Sequence, residues 1–335
     1  MSQIVLTVES ASLIRDEAVK LLSQAFQKEH QAGNWMWKHE NNPAGQSKVV
    51  VARKHNRMVG IRPIMVSPVR CKDQDIKAVQ FVDSAIIASE RGKGIFRMLC
   101  MKALSEINDT LVFNTPNQMS YPAYMKMGWT DVGGLVRIWQ SLDLPAMLKY
   151  VIKKYWALPS GKIEDVIAHL KNCPYISDEI PEEAEMLIEL SENSMSDKIV
   201  IKKCRDWIKW RTNTPDGTQF MAYSSKNRFA VIFYVIQVDN FIGVRILDVI
   251  ADFYDDKIIH METKRFINIV KKKCDFISMI CSDQHPILNY LRRFFPVRKE
   301  PVHFVVNTSR LQSADGKDFL NPENWELMQS ALDYN

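Results

Sequence analysis

Apolar positions near the start of the chain recur at helical spacing. They are Ile14, Ala18, Leu21, Leu22, Ala25 and Phe26. This period predicts an amphipathic helix that begins after Ser12. Three segments rich in β-branched residues follow, at residues 49–53, 59–66 and 79–87, with polar, turn-like stretches between them. They predict an antiparallel meander whose third strand leads into a second amphipathic helix at residues 95–107.

The same order of elements recurs in the second half of the chain. The first half continues with an apolar strand at residues 111–113 and a short helix at 121–126, which ends at Gly128 because glycine tolerates positive φ. In the second half, the predicted elements are strands at residues 229–238 and 244–250, a helix at 257–270, a strand at 276–281 and a helix at 287–294.

A short sequence echo supports two copies of one fold. Trp37-Lys38 is followed by Pro43-Ala44-Gly45, and Trp210-Arg211 is followed by Pro215-Asp216-Gly217. A chain of 335 residues is also long for a single core. We therefore predict an α/β (α+β) protein with two domains, each a mixed, mostly antiparallel sheet flanked by helices. The expected division is residues 1–145, a connecting segment at 146–180, and residues 181–335.

Composition narrows the range of partners. A formal net charge of +5, spread along the chain, suits phosphate-bearing small molecules and does not imply nucleic acid. The 6 cysteines form no C-x-x-C pair, so we expect reduced thiols and no metal site. The first residues lack a signal-peptide layout, and no stretch approaches the roughly 20 apolar residues that span a bilayer. We expect a cytoplasmic monomer or homodimer with no membrane partner.

The segment at residues 81–96, FVDSAIIASERGKGIF, leads from an apolar strand through a glycine-containing turn into a helix. Unpaired amides and the positive end of the dipole at a helix N-terminus can hold a pyrophosphate, and glycines allow its close approach. Arg91, Gly92, Lys93 and Gly94 are placed for this role. The alternative is a plain strand-to-helix turn in which the glycines only relieve strain.

These residues resemble a known family. Arg91-x-x-Gly94 after an apolar strand is similar to the Q/R-x-x-G-x-G/A coenzyme A motif of GNAT acyltransferases, although Phe96 stands where the family usually has Gly or Ala. Asn117, Tyr124 and Gly128-Trp129 are similar to the family's N-x-x-A and Y-x-K-x-G-F. The resemblance implies acyl transfer to an amine from acetyl-CoA or another acyl-CoA. It assigns to coenzyme binding Ala85, Ile86, Ile87, Arg91, Gly92, Lys93, Gly94, Ile95, Phe96 and Asn117.

The same resemblance implies the catalytic groups. Tyr124 matches the family's proton donor to the departing thiolate, and its alternative role is packing. From the residues themselves, Asp83 is the first candidate for a general base, since strand alternation places it on one face with Ala85 and Ile87. The alternative is an aspartate that bonds a neighbouring strand or loop. Other candidates are Glu90, His30 and His39, and some family members need only water. Asn117 would contact the coenzyme or cap a helix.

The second half should lack a coenzyme site of its own. Its corresponding passage at residues 247–259, LDVIADFYDDKII, has no glycine and contains the consecutive aspartates Asp255 and Asp256. Their charge would repel a pyrophosphate. We therefore expect a degenerate GNAT-like domain that helps to form the acceptor cleft.

The whole chain resembles a tandem-GNAT group that N-acylates amino sugars, often nucleotide-linked ones. The matching residues include Trp37-Lys38, Asn42-Pro43, the run from Phe113 to Asn117, and Asn324-Trp325. The resemblance implies a small-molecule acceptor, a nucleotide-linked amino sugar, contacted by Trp37 and Asn114. Tryptophans 35, 37, 129 and 139 either stack on a ring of the acceptor or pack in the core. Rival classes are an acetyltransferase for another small amine or peptide, a FemAB-like aminoacyltransferase, and a non-catalytic acyl-CoA sensor.

Overall fold

A computed structural model describes residues 3–71, 74–142, 162–179, 184–193, 195, 197–225, 228–294, 296–312 and 318–332. The expected domain boundary at residue 145 and the first part of the connecting segment lie outside these residues. None of the helices in the described ranges is long and apolar enough to cross a membrane.

Helices and strands are numbered in chain order. The helices are α1 (Arg15–Phe26), α2 (Ala32–Trp35), α3 (Ile95–Ser105), α4 (Tyr121–Lys126), α5 (Ile163–Lys171), α6 (Ala184–Asn193), α7 (Arg205–Thr212), α8 (Asp256–Val270) and α9 (Ile287–Leu291). The strands are β1 (Val5–Ser10), β2 (Lys48–Lys54), β3 (Arg57–Val66), β4 (Val69–Cys71), β5 (Gln74–Ile76), β6 (Ala78–Phe81), β7 (Ala85–Ile86), β8 (Leu111–Asn114), β9 (Thr130–Asp131), β10 (Leu135–Ser141), β11 (Ile176–Ser177), β12 (Ile199–Ile201), β13 (Phe220–Ser225), β14 (Phe229–Val238), β15 (Phe241–Ala251), β16 (Phe276–Ser282), β17 (Val297–Val302) and β18 (Val305–Asn307).

The first sheet has the order β1-β2-β3-β6-β8-β18-β9, and β7 pairs with β3 beside β6. Its pairs are antiparallel except for β6 and β8. The helix α3 packs Ile95, Leu99 and Ala103 against this sheet, together with apolar residues of α1. The predicted meander and the helix that follows it are therefore confirmed.

The second sheet repeats this plan in the order β11-β13-β14-β15-β16-β10-β17. Its one parallel pair is formed by β15 and β16, and the connection between them is α8. A third, 3-stranded sheet is formed by β12, β4 and β5. Two mostly antiparallel sheets flanked by helices confirm the predicted fold class.

Two strands are exchanged between the halves. The strand β10 follows the first sheet in sequence but pairs with β16 and β17 of the second sheet. The strand β18 comes near the end of the chain but pairs with β8 and β9 of the first sheet. An apolar cluster that includes Phe113, Ile232 and Trp325 lies between the sheets. The two halves therefore share a core as well as strands.

The predicted continuous strand at residues 79–87 is wrong in one respect. It is broken at residues 82–84, because Asp83 adopts φ 44°, a left-handed conformation that is rare outside glycine. The break separates β6 from β7. It also removes the strand alternation that placed Asp83, Ala85 and Ile87 on one face.

Candidate active site

The strands β6 and β8 separate soon after they pair. Their parallel register covers only Ala78 with Leu111 and Val79 with Val112. Beyond it, the Asn114 side chain replaces the missing strand contact: its Oδ1 accepts from the Phe81 amide at 2.8 Å, and its Nδ2 donates to the Phe81 carbonyl at 2.8 Å. A cavity of about 1150 Å³ opens at this splay. Asn114, expected to contact the acceptor, thus holds the wall of the cavity that it lines.

The cavity extends to the turn before α3. Gly92 has φ 77° and Gly94, the N-cap of α3, has φ 79°, and a Cβ atom at either position would meet nothing within 4 Å. No side chain caps α3. An uncapped helix start with open space over two glycines fits the approach of a pyrophosphate.

The two basic side chains of this turn already have protein partners. Arg91 donates from Nε to the Ile86 carbonyl at 3.0 Å and from Nη2 to the Ala25 carbonyl at 2.6 Å, which ties α1 to β7. Lys93 forms an ion pair with Glu90 at 3.1 Å. Arg91 and Gly92 line the cavity, whereas Lys93 and Gly94 stand beside it.

The remaining expected coenzyme contacts divide between the cavity wall and the core. Ala85, Ile86 and Phe96 line the cavity, while Ile87 and Ile95 are buried behind it. The strand β7 pairs with β3 on one side, and no described strand pairs with its other side. On that side the Ile86 carbonyl accepts from Arg91, so the Ile86 amide is the backbone group of this edge that a pantetheine chain could meet.

Asn117 lines the cavity at the start of α4. Its Oδ1 accepts from the amides of Met119 at 3.1 Å and Ser120 at 3.0 Å. These contacts hold the turn that precedes α4, whose own N-cap, Ser120, makes no side-chain capping bond, so both roles that the sequence left open stay open.

Tyr124 lies at the cavity floor and is only 3% exposed. Its hydroxyl accepts from Asn114 Nδ2 at 2.5 Å and from Arg62 Nη2 at 2.5 Å. Both partners are donors, so the hydroxyl keeps its own proton for a third partner. Burial raises the pKa of Tyr124, and the charge of Arg62 opposes this. The tyrosine is therefore protonated at neutral pH.

Arg62 is the site residue that the sequence analysis missed. It lies on β3 with an exposed fraction of 0%. The sequence signal is an arginine in the interior of an otherwise apolar stretch, which is also the pattern of an arginine with an exposed head.

Asp83 belongs to a buried ionic cluster at the cavity edge. Its carboxylate accepts from Lys38 Nζ at 3.0 Å and from His39 Nε2 at 3.0 Å, and its side chain is 29% exposed. Burial raises the pKa of Asp83, but the charges and hydrogen bonds of Lys38 and His39 outweigh burial and leave that pKa well below its ordinary value. The group stays ionised, which suits an amine-orienting acceptor better than a general base.

The other candidate bases lie away from the cavity. Glu90 is held by Lys54 at 2.8 Å and by Lys93, and these contacts lower its pKa. The His39 ring is fully buried between Ser47 and Asp83. His30 stacks near Phe26 with ring centroids 5.6 Å apart and does not line the cavity.

Trp37 lies between the two halves. Its Nε1 donates to the Trp210 carbonyl at 2.6 Å, Trp210 Nε1 donates to the Trp37 carbonyl at 2.7 Å, and the rings stack with centroids 5.1 Å apart. The two tryptophans of the sequence echo thus contact each other reciprocally. None of the tryptophans at 35, 37, 129 and 139 lines the cavity, and Trp35 and Trp129 are core residues.

The equivalent turn of the second half is closed by its own side chains. Asp255 caps α8 by accepting from the Ile258 amide at 3.1 Å, and Asp252 accepts from the Tyr254 amide at 3.1 Å. Two carboxylates of the chain itself therefore accept from amides in the turn before α8 and in the first turn of that helix. Within the described ranges, no group of three or more His, Cys, Asp or Glu side chains could hold a metal ion.

Comparison with known proteins agrees with this geometry. A family model described as an acetyltransferase (GNAT) domain matches residues 14–132. A GCN5-related N-acetyltransferase from Anabaena variabilis is similar in structure, with a TM-score of 0.65, 14% identity, and coverage of 97% of this chain and 82% of that one. A probable N-acyltransferase of unknown function from Enterococcus faecalis has a TM-score of 0.64 and 12% identity, over 93% of this chain and 74% of that one.

Saccharomyces cerevisiae N-myristoyltransferase with bound myristoyl-CoA is also similar, with a TM-score of 0.56 and 11% identity over 91% of this chain and 79% of that one. No curated protein matches the chain in sequence. Residues 14–132 thus match the model of a GNAT acetyltransferase domain. The solved structures share the fold over more than nine-tenths of this chain.

Proposed function

We propose that the chain transfers an acetyl or larger acyl group from acyl-CoA to the amine of a nucleotide-linked amino sugar. One observation carries the proposal: a single cavity reaches from Gly92, beside the uncapped start of α3, past Tyr124 to Arg137. Arg137 lies on β10, which pairs with the second sheet. Coenzyme turn, proton donor and a wall from the other half thus meet in one space.

The coenzyme end is formed by the first half alone. The amides at the start of α3 hold the pyrophosphate, and the free edge of β7 pairs with the pantetheine arm. When bound, acyl-CoA supplies an activated thioester carbonyl. Tyr124 then donates its hydroxyl proton to the sulfur that leaves.

Asp83 positions the acceptor in this scheme. Because its carboxylate is ionised and partly exposed to the cavity, it can accept a hydrogen bond from the acceptor amine. Water carries away the proton that the amine loses. The reciprocal contact of Trp37 with Trp210 then serves the acceptor indirectly, since Trp37 precedes Lys38, the ion-pair partner of Asp83.

The acceptor end accounts for the second half of the chain. A degenerate domain without its own coenzyme turn persists here as a wall, to which β10 contributes Arg137. A guanidinium suits the diphosphate of a nucleotide-linked sugar. Stacking by tryptophan does not support this proposal, because the rings that line the cavity are those of Phe26, Phe81, Phe96 and Tyr124.

The test is a thiol-release assay with several acyl-CoAs against nucleotide-linked amino sugars, the free amino sugars, simple amines and peptide amines. We expect kcat/KM to be highest for a nucleotide-linked amino sugar, because binding of the remote nucleotide positions the amine. Equal kcat/KM for the free and linked sugars, or activity only on peptide amines, would refute the acceptor and leave the acyltransferase class intact.

A matched pair of variants locates the acceptor's diphosphate. Arg137→Met should raise KM for the linked sugar by roughly tenfold or more, since a hydrogen bond to a charged group contributes about 1.5–3 kcal/mol. KM for the free sugar should not change. Arg298→Met, which removes an arginine from the neighbouring strand β17 with its side chain 77% exposed, is the control and should behave as wild type.

A further inference from the structure

The surroundings of Arg62 are unusual for a fully buried charge. Nη1 donates to the Ser84 hydroxyl at 2.8 Å, Nη2 donates to Tyr124, and Nε has no partner among the described residues. No carboxylate of those residues forms an ion pair with it. A buried charge without a counter-ion is costly, so its retention needs an explanation.

Three aromatic rings enclose the guanidinium. Its carbon lies 4.8 Å from the ring centroids of Phe81 and of Phe96, and 5.3 Å from that of Tyr124. Phe96 is also the residue that departs from the family pattern, where Gly or Ala is usual. The aromatic faces offset part of the desolvation cost through cation–π attraction, and Phe96 and Tyr124 separate Arg62 from the cavity that they line.

The orientation of the Tyr124 hydroxyl follows from its two donors. The Phe81 amide can only donate, so it fixes Asn114 with Oδ1 toward Phe81 and Nδ2 toward Tyr124. Arg62 occupies the other lone pair of the hydroxyl. With both acceptor positions filled, the proton of Tyr124 points away from both donors.

We propose that Arg62 is a positioning residue for acyl transfer: it directs the Tyr124 proton into the cavity and is the counter-ion of the phenolate that forms when this proton leaves. The inference rests on the proposed role of Tyr124. As the new C–N bond forms, the C–S bond breaks with its electron pair on sulfur. The Tyr124 proton goes to that sulfur, the amine proton goes to water, and water then reprotonates the phenolate.

The described part of the resting protein holds no negative counter-charge for Arg62, and the Tyr124 phenolate supplies it during turnover. The titratable groups that face Tyr124 are Arg62 on β3 and Cys100 on α3, and the charge of Arg62 lowers the pKa of the phenol while Cys100 raises it. The other neighbours of the hydroxyl and the ring, Asn114, Phe96 and Trp129, do not titrate.

A double-mutant cycle tests the coupling. Arg62→Met should lower kcat by roughly ten- to a hundredfold with little change in KM for acyl-CoA, and in the Tyr124→Phe background it should change kcat by less than about twofold. Arg62→Lys, which keeps the charge, should recover part of kcat. Arg53→Met removes a different arginine of the same sheet, which pairs with Glu17 and Glu9 away from the cavity, and should leave kcat unchanged.

Two further measurements separate this role from a purely structural one. In the free protein, NMR of ring-labelled tyrosine, with the Tyr124 signal identified by Tyr124→Phe, should show that Arg62→Met moves Tyr124 ionisation to higher pH. Thermal unfolding should show no loss of stability, since a buried charge is removed. Equal effects of Arg62→Met in both backgrounds, or unaltered Tyr124 ionisation, would overturn the proposal. An unaltered kcat in Tyr124→Phe alone would instead overturn the proposed acid.

Discussion

The turns that precede α3 and α8 share a position in the fold but differ in the side chains that occupy them. Before α3, two glycines with positive φ leave the helix start open and uncapped. Before α8, Asp255 caps the helix with its own carboxylate, and Asp252 ties the preceding turn. The start of α3 has no side-chain cap among the described residues, whereas amides at the start of α8 and in the turn before it are bound by carboxylates of the chain itself.

The two helix starts differ in whether a side chain of the chain caps them. Capping stabilises a helix start by about 1 kcal/mol. The start of α3 lacks this stabilisation, whereas the start of α8 has it through Asp255. The two starts therefore differ in their turn residues, while the strands and helices around them follow the same order.

The largest expected effect is loss of coenzyme binding in Gly94→Val. A β-branched residue at φ 79° is strained, and its side chain would occupy the space above the start of α3. Isothermal calorimetry should find one acyl-CoA site per chain in the wild type and none in this variant. Asp255→Ala, the control in the second half, should bind acyl-CoA normally and lose about 1 kcal/mol of stability. If Gly94→Val bound acyl-CoA with wild-type affinity, the turn before α3 would not be the coenzyme site.

The next effect concerns two tyrosines at equivalent places: Tyr124 on α4, after the parallel pair β6 and β8, and Tyr290 on α9, after the parallel pair β15 and β16. Tyr124→Phe should lower kcat by roughly ten- to a thousandfold with coenzyme affinity unchanged. Tyr290→Phe removes the hydroxyl that bonds Asp256 at 2.9 Å on α8 and should keep full kcat. Steady-state kinetics with chemistry rate-limiting distinguishes the two. A comparable loss in both would show that the phenols serve structure in each half.

A smaller effect is expected for Asp83→Asn. Loss of the carboxylate should lower kcat/KM for the acceptor by roughly tenfold through weaker amine binding. Because the pKa of Asp83 lies below its ordinary value, the carboxylate stays ionised through the neutral range. The acid limb of the pH profile should then keep its midpoint in the variant. A displaced midpoint would identify Asp83 as the titrating base.

The smallest effect concerns the pH dependence of stability in the second half of the chain. Burial raises the pKa of Glu326 to about 8 and lowers that of His285 to about 3. Above pH 6.5, the ordinary pKa of histidine, His285 is largely neutral in both the folded and the unfolded chain. Of this pair, Glu326 is then the group whose protonation still differs between the two states. The unfolded chain has already released the Glu326 proton there, so stability falls as pH rises from 6.5 to 8.

Glu326→Gln should therefore lessen the loss of stability between these pH values by about 1–2 kcal/mol, measured by chemical denaturation. Its kcat should equal that of the wild type, because Glu326 does not line the cavity. An identical pH dependence of stability in variant and wild type would contradict the raised pKa.

Hydrophobic periodicity predicted the repeated elements closely. The helix at residues 121–126 and the strand at 229–238 have the predicted bounds. Periodicity could not reveal the exchange of β10 and β18, since strand partners depend on contacts far apart in sequence. The 3-stranded sheet was also missed, because strands of only 3 residues are too short to show a period.

The site was predictable where backbone chemistry determines it. Glycines 92 and 94 signal their turn through residue type alone. The partners of Asp83 were not predictable, because Lys38 and His39 reach it from a distant segment, and the break at Asp83 arises from a left-handed residue with no sequence signature. The position of Arg62 within an apolar strand could not reveal its burial, because burial of this charge depends on the three rings around it.

The exchange of β18 determines when the first sheet can be completed during synthesis. The strand β8 receives its outer partner from residues 305–307, which leave the ribosome long after β8 itself. Until then, the nascent chain presents the unpaired edge of a hydrophobic strand, to which other chains can add. A chain that stops before residue 305 would keep this edge of β8 unpaired.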